Sequence, residues 1–379
     1  MKLSTYHYTQ ALGWDQPLDS RLDSENTWLI VFGGADANPL MSAMDDLKHA
    51  FPQAQWTGCS TSGEIHRDSL HDHSLVVAVL KFESTQLRLA NANIQNPDQS
   101  REIGAQLGDS LNAPNLRAVF VLSDGLGVNG SSLIRGLTSS LPCQVVITGG
   151  LAGDGDRFQK TWVLNDKSPQ AQHVSAIGLY GDSIRVGHGS KGGWDVLGAM
   201  RQVTHAVGNV VYSIDHQPAL TLYKKYLGDR ASGLPATGLL FPLAILNTDS
   251  QEDITVRALK SVNEADESIS FAGDIPTGST VRLMRANFER LIDGAGEAAA
   301  QIGIDDYQGG PMLSIAISCI GRRLVLGQRT EEELEAVCHD LPLDSSLIGY
   351  YSYGEISPLA NGRCDLHSQT MTISTFWER

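Results

Sequence analysis

One unit is written about three times along this chain, and that recurrence restricts the available folds more than any other feature. In the first pass, Trp28–Gly34 (WLIVFGG) is a short apolar run ending in glycines, which predicts a buried strand. Leu40, Met44, Leu47 and Phe51 then share one face of a helix. A brief strand runs into GCSTSGEI (Gly58–Ile65), and Leu75–Phe82 and Gln86–Asn93 are expected to follow as a hairpin. The order recurs from Arg117: strand Ala118–Ser123, loop Asp124–Gly130, helix Ser131–Ser140, strand Val145–Thr148 and the glycine loop GGLAGDG (Gly149–Gly155). Val174–Tyr180 and Ser183–Gly187 then read as a second hairpin. The third pass runs through Leu313–Cys319, a helix at Thr330–His339, GYYSYGEI (Gly349–Ile356) and a last strand, Met371–Phe376.

Local matches support this alignment. Thr57-Gly58 answers Thr148-Gly149, Leu87–Ala90 answers Ile184–Gly187, and His73-Ser74 answers His367-Ser368. Between the second and third passes the pattern changes to sequential short strands: Asn209–Asp215, Leu239–Leu246, Ile254–Val262, Ser268–Asp274 and Thr280–Leu283, with a helix at Ala219–Leu227. Such a series favours an antiparallel sheet with one buried face. A helix from Arg285 to about Ile302 leads into the third pass. The expected fold is therefore α/β: repeated β-loop-α-β-loop-β units forming mixed sheets with helices packed on them, plus an inserted, mainly antiparallel α+β domain. The boundaries fall at a lead-in of residues 1–27, two units over 28–190, the insert over 191–285 and the third unit over 286–379.

Composition narrows the function. A net charge of −15 argues against DNA or an anionic membrane as the main partner, because phosphate binding needs clustered positive surface. The N-terminus has no apolar core of a secretory signal, and Gly238–Leu246 contains Pro242 and is too short to span a bilayer. The five cysteines form no C-x-x-C pair, and their odd number suits a reducing compartment. A cytoplasmic protein is expected.

The glycine loops match no nucleotide fingerprint, and both a tight turn and a binding loop fit them. Glu64, Asp154 and Glu355 close the three loops in register, which suits a role in fixing loop geometry. His66, His71 and His73 in HRDSLHDH read as solvated loop histidines, since their spacing does not specify a tetrahedral metal site. Cys59 and Ser123 are weighed as nucleophiles alongside Cys319. A catalytic Cys319 would need a base such as His367, with Arg322 holding an anion, and a buried structural thiol is the competing reading. Ser352, Tyr353 and Glu355 complete the candidate set in the third unit. The glycine-dense GHGSKGGWD (Gly187–Asp195) reads as a flexible or close-approach linker, first as a hinge, with Trp194 plugging a core or cleft and His188 facing a ligand as the alternative.

Beyond these readings, SDGLGVNG (Ser123–Gly130), TGGLAGDG (Thr148–Gly155), HGSKGGWD, PALTLYKKYLG (Pro218–Gly228), FAGDIPTG (Phe271–Gly278), SCIGRRLVLGQR (Ser318–Arg329), SYGEISP (Ser352–Pro358) and LHSQTMTI (Leu366–Ile373) resemble bacterial FIST-domain proteins. The resemblance spans roughly residues 28 to 376. It implies a non-enzymatic sensor that binds a small ligand, either haem with nitric oxide or a metabolite such as an amino acid. It also implies signalling to a separate histidine kinase or cyclic-di-GMP enzyme, because the sequence to Arg379 shows no output domain. Haem b would be non-covalent, since no C-x-x-C-H motif exists, and His367 is the proposed axial ligand, with His188 and Cys319 as alternatives. The rival reading is an enzyme for a small anionic substrate acting through Cys319, Glu355 and His367. A non-catalytic interaction scaffold is a third.

Overall fold

The repeat builds three equivalent sheets that exchange strands in a ring. The computed structural model describes residues 1–246, 254–359 and 362–379. Unit one contains β1 (Lys2–Thr9), β2 (Thr27–Gly34), α1 (Met41–Ala50), β3 (Gln55–Thr61), a short hairpin β4/β5 (Glu64–His66 and Ser69–His71) and β6 (Leu75–Lys81). Unit two contains β7 (Gln86–Asn93), α2 (Ser100–Leu111), β8 (Leu116–Ser123), α3 (Gly130–Ser140), β9 (Val146–Leu151), the hairpin β10/β11 (Val163–Asn165 and Ser168–Gln170) and β12 (His173–Tyr180).

Unit three opens with β13 (Ile184–Lys191), which the insert follows. The insert's main elements are β14 (Arg201–Val207), β15 (Val210–Ile214), α4 (Ala219–Leu227), β16 (Leu243–Leu246), β17 (Ile254–Arg257), β18 (Leu259–Asn263), β19 (Ser268–Phe271) and β20 (Thr280–Arg285). The unit resumes with α5 (Phe288–Ala300), β21 (Met312–Cys319), α6 (Ile320–Leu326), α7 (Thr330–Asp340), β22 (Ser345–Ser352), the hairpin β23/β24 (Glu355–Pro358 and Cys364–His367) and β25 (Met371–Glu378).

Each sheet has the same plan. A central strand pairs in parallel with the strand beyond its helix (β2/β3, β8/β9, β21/β22) and antiparallel with the returning strand (β6, β12, β25). The outer edge of the returning strand is covered by β1, β7 or β13. Each small hairpin leaves its own unit: β4/β5 joins β22, β10/β11 joins β3 and β23/β24 joins β9. The two hairpins expected at residues 75–93 and 174–187 therefore do not form. Local spacing alone predicts them, but β6 and β12 already have both edges paired, so β7 and β13 pass on to the next sheet.

The inner faces meet in one core. Trp28, Ile30 and Phe32, Ala118, Phe120 and Leu122, and Leu313, Ile315 and Ile317 alternate along the three central strands and pack together. Trp28, Phe120 and Phe376 form a ring triangle there, with centroids 5.2 to 6.2 Å apart. The intervening residues face the outer helices, which is why these strands read as continuous apolar runs. Gly58, Gly149 and Gly349 stand opposite Val31, Val121 and Ala316, and a Cβ on any of them would lie 1.9 to 2.4 Å from the facing carbonyl oxygen. The repeated glycine is thus a close-approach residue, used three times.

The insert is an antiparallel sheet in the order β17-β16-β20-β14-β15-β19-β18, packed on α4. The expected strand at Ile254–Val262 is split into β17 and β18, and β14 was not foreseen. The matching residues in the returning strands also shift. Ser74 and Thr370 are equivalent, each preceded by a left-handed residue, His73 (φ 59°) or Gln369 (φ 64°). His73-Ser74 therefore corresponds to Gln369-Thr370, and its likeness to His367-Ser368 is coincidental.

Candidate functional site: an open cleft between the insert and the third unit

β13 and the glycines that follow it run close against the backbone of α5. A Cβ at Gly187, Gly189 or Gly193 would come within about 2 Å of the carbonyl oxygens of Ile302, Ala298 and Arg290. These glycines serve contact with the helix, and Ile184–Lys191 pairs along its whole length with β25. The first part of the expected hinge, Gly187–Lys191, is ordered strand. A sequence cannot separate glycine's freedom from its small size.

Where this strand leaves the sheet, a cleft of about 810 Å³ opens between β13, α5, the insert strands β17 and β20, and the hairpin β23/β24. His188, Trp194 and His367 line it together with Thr370. Trp194 is buried, packs with Val256, Met284 and Leu291, and donates from Nε1 to the Gln369 carbonyl at 2.7 Å. It locks the insert to the core. From α5, Arg290, Asp293, Glu297 and Gln301 reach the same cleft. Their spacing places them on one helical face, but a polar face ordinarily means solvent, so nothing in the sequence marked them. Lys191 pairs with Glu297 at 3.2 Å and Arg290 with Asp195 at 2.8 Å. Asp293 has no ion-pair or hydrogen-bond partner among the described residues.

His367 is buried, and its Nε2 lies 2.9 Å from the Ser357 carbonyl oxygen. A carbonyl only accepts, so Nε2 carries the proton and the lone pair resides on Nδ1. Burial holds His367 and His188 below the ordinary histidine pKa, so both are neutral. Beside His367, Arg257 reaches from the insert, buried, and donates to the Leu366 carbonyl at 2.6 Å. Sequence reasoning missed this second link between the insert and the cleft.

The other candidates stand behind the cleft wall. Arg322 is fully buried against Glu333 (2.7 Å) and donates to the carbonyls of Gly192 and Leu291, so it braces the cleft floor and cannot meet an anion. Tyr351 and Ser318 donate to the same Glu333 carboxylate. The Cys319 thiol is buried and pushed far up, by desolvation first and then by Glu355, which is the reverse of activation. Of Cys319, Glu355 and His367, only His367 lines this cleft. Cys59 is buried beside Tyr350, and its thiol is likewise raised by desolvation. Ser123 is buried and donates to the Asp124 carbonyl. Tyr353 donates to Asp154 and to the Gly155 carbonyl (2.8 Å), with its ring stacked on Phe158.

Glu355 accepts from Ser352 (2.8 Å) and from the amide and hydroxyl of Thr370. Glu64 has the same partners at the equivalent places, Thr61 and Ser74. Desolvation pushes both acids up to about 7. Asp154 accepts the amides of Phe158, Gln159 and Lys160 instead. All three acids fix their loops.

The fold and cleft together define a class: a threefold αβ core carrying an inserted antiparallel sheet, with a solvent-open cavity at their junction. The FIST N domain pattern matches residues 27–217 and the FIST C domain pattern residues 219–358, so the chain belongs to the FIST family. FIST domains are sensory, ligand-binding domains associated with signalling. None of the curated proteins compared matches this chain. Among solved structures, a cyanuric acid hydrolase from A. caulinodans aligns over 100% of this chain and 99% of its own at 8% identity, with a TM-score of 0.37. PurLQS from Thermotoga maritima aligns over 78% and 72% at 10% identity, with a TM-score of 0.20. Neither likeness carries an argument. No helix among the described residues is long and apolar enough to cross a membrane.

Proposed function

We propose that this chain is a sensor whose cleft takes a small zwitterionic metabolite of the amino-acid class, and that occupancy is relayed to a separate histidine kinase or cyclic-di-GMP enzyme. The observation that supports the ligand class is the set of opposite charges that α5 and the end of β13 present to the cleft. Asp293 offers an unpartnered carboxylate for an ammonium group, and Arg290 and Lys191, which would exchange Asp195 and Glu297 for the ligand, offer cations for a carboxylate within the same cleft. His188, Trp194 and Met284 supply an apolar wall for a side chain. Because Trp194 and Arg257 tie the insert to the core at the cleft edge, a bound ligand changes contacts on both sides.

Calorimetric titration with each common amino acid tests this. The reading expects saturable heat with at least one, reduced tenfold or more in affinity by Asp293→Ala. Heat that survives Asp293→Ala unchanged, or no saturable heat with any amino acid, contradicts it.

Haem is the second reading, favoured by one observation. The His188 imidazole lines the cleft and has no hydrogen-bond partner among the described residues. His367 is the weaker candidate because it is buried and only its Nδ1 is left to reach iron, its Nε2–H being held by the Ser357 carbonyl. Bound haem would supply an iron able to take a diatomic ligand such as nitric oxide, with Arg290 and Lys191 available to its carboxylates. Haemin titration is expected to give a Soret band that His188→Ala abolishes and His367→Ala retains. A band dependent on His367 would overturn that assignment, and no band would remove haem.

A further inference from the structure

A second constellation lies away from the cleft, where the first and third sheets meet. His7 stands on β1 of the first sheet, and His66 and His71 stand on β4 and β5, the hairpin carried into the third sheet. Two loop histidines expected in solvent therefore converge with a third from the N-terminal strand, which no local spacing could reveal. His73 turns away from them in a left-handed conformation. One ligand nitrogen from each of the three lies within 4.8 Å of the others. The His7 ring centroid is 4.0 Å from that of His71 and 5.4 Å from that of His66.

The nitrogens are also unsatisfied. His7 Nε2 and His66 Nε2 are both buried and meet no hydrogen-bond partner among the described residues. Buried polar atoms are nearly always paired, so two orphaned nitrogens within one histidine cluster call for a missing partner. Asp15 lies near His7 and His66, Asp68 near His66, and Asp72 and Glu331 near His71, with Arg67 the opposing cation beside His66. The Glu331 carboxylate is itself fixed by the Leu70 amide at 3.1 Å. Acidic groups behind imidazole ligands are the usual outer shell of a transition-metal site.

We propose that His7, His66 and His71 form a binding site for a borderline divalent transition ion of the zinc class, fastening the N-terminal strand to the exchanged hairpin. Three imidazoles suit zinc, cobalt, nickel or copper over calcium or magnesium. Tetrahedral zinc needs N–metal distances of about 2.0–2.1 Å, which puts donor nitrogens about 3.3 Å apart. Three protein ligands leave a fourth position for water or an anion.

The test is a Co²⁺ titration of tag-free, full-length protein, read by visible absorption, followed by displacement with Zn²⁺. The inference expects one equivalent with tetrahedral d–d bands in the wild type, bands lost in His7→Gln and in His71→Gln, and bands retained in the control His216→Gln. Thermal melts add a second readout: zinc raises the melting temperature of the wild type but not of His71→Gln. If His7→Gln fails to fold by circular dichroism, His71→Gln, in the short hairpin, carries the test alone. Binding well below one equivalent, or binding unchanged in His71→Gln, overturns the inference. Asp293→Ala leaves this metal site intact, so the metal and cleft proposals fail separately.

Discussion

Glu64 and Glu355 are buried acids whose oxygens accept bonds from equivalent hydroxyls and amides in two of the three units. Desolvation raises each from 4.5 to about 7, so the folded chain holds more protons than the unfolded chain across that interval. The stability they confer is full below about pH 4.5 and is lost as pH rises through about 7. In urea melts, the double variant Glu64→Gln with Glu355→Gln is expected to gain on the wild type as pH climbs from about 5 to about 8. A difference independent of pH would show that the acids are ionised in the fold. Arg322 and Glu333 make the opposite point. Both are fully buried and mutually paired, so removing one partner leaves an isolated charge. Glu333→Ala is expected to cost about 3–5 kcal/mol by denaturant unfolding, with Arg322→Met added to it recovering part of the loss. Arginine in a strongly acidic chain reads as an anion site, and Glu333 carries no signal of its own because an acid on a charged helix normally faces water.

At the scale of elements, much of the architecture was legible because each central strand is apolar on both faces and each crossover helix carries its own stripe. The parallel pairs, the insert and its helix Ala219–Leu227 follow from those patterns. Partner choice did not follow. β7 and β13 carry the same local signals as hairpin strands, and only the occupied edges of β6 and β12 send them onward. The cleft was partly legible: His188, Trp194 and His367 line it, whereas Arg290, Asp293 and Glu297 look like an ordinary solvated helix face. The glycines of β13 mattered for size, and this is testable. Gly189→Ala would set a Cβ 1.9 Å from the Ala298 carbonyl, prising α5 from the strand. The expected loss is about 1–3 kcal/mol in chemical denaturation, with weakened ligand affinity because α5 carries the charged wall. A neutral Gly189→Ala would return the segment to a hinge.

For the whole molecule, cyclic exchange means that no unit owns a complete sheet. The first sheet needs β10/β11 from unit two, the second needs β23/β24 from unit three, and the third needs β4/β5 from unit one. A fragment of residues 1–217 lacks one of the two partners of β9 and the third-sheet partners of β13 and the β4/β5 hairpin. It is therefore expected to lack cooperative unfolding by circular dichroism, where an independent domain would melt sharply. The same linkage gives a ligand in the cleft leverage over the insert and the core together. Hydrogen exchange by mass spectrometry, on full-length protein with and without the amino acid that binds tightest by calorimetry, tests that claim most directly. The account predicts added protection in 188–194, 288–301 and 364–370, together with changed exchange in the insert strand Ile254–Arg257. Protection confined to surfaces away from the cleft, at saturating ligand, would contradict it.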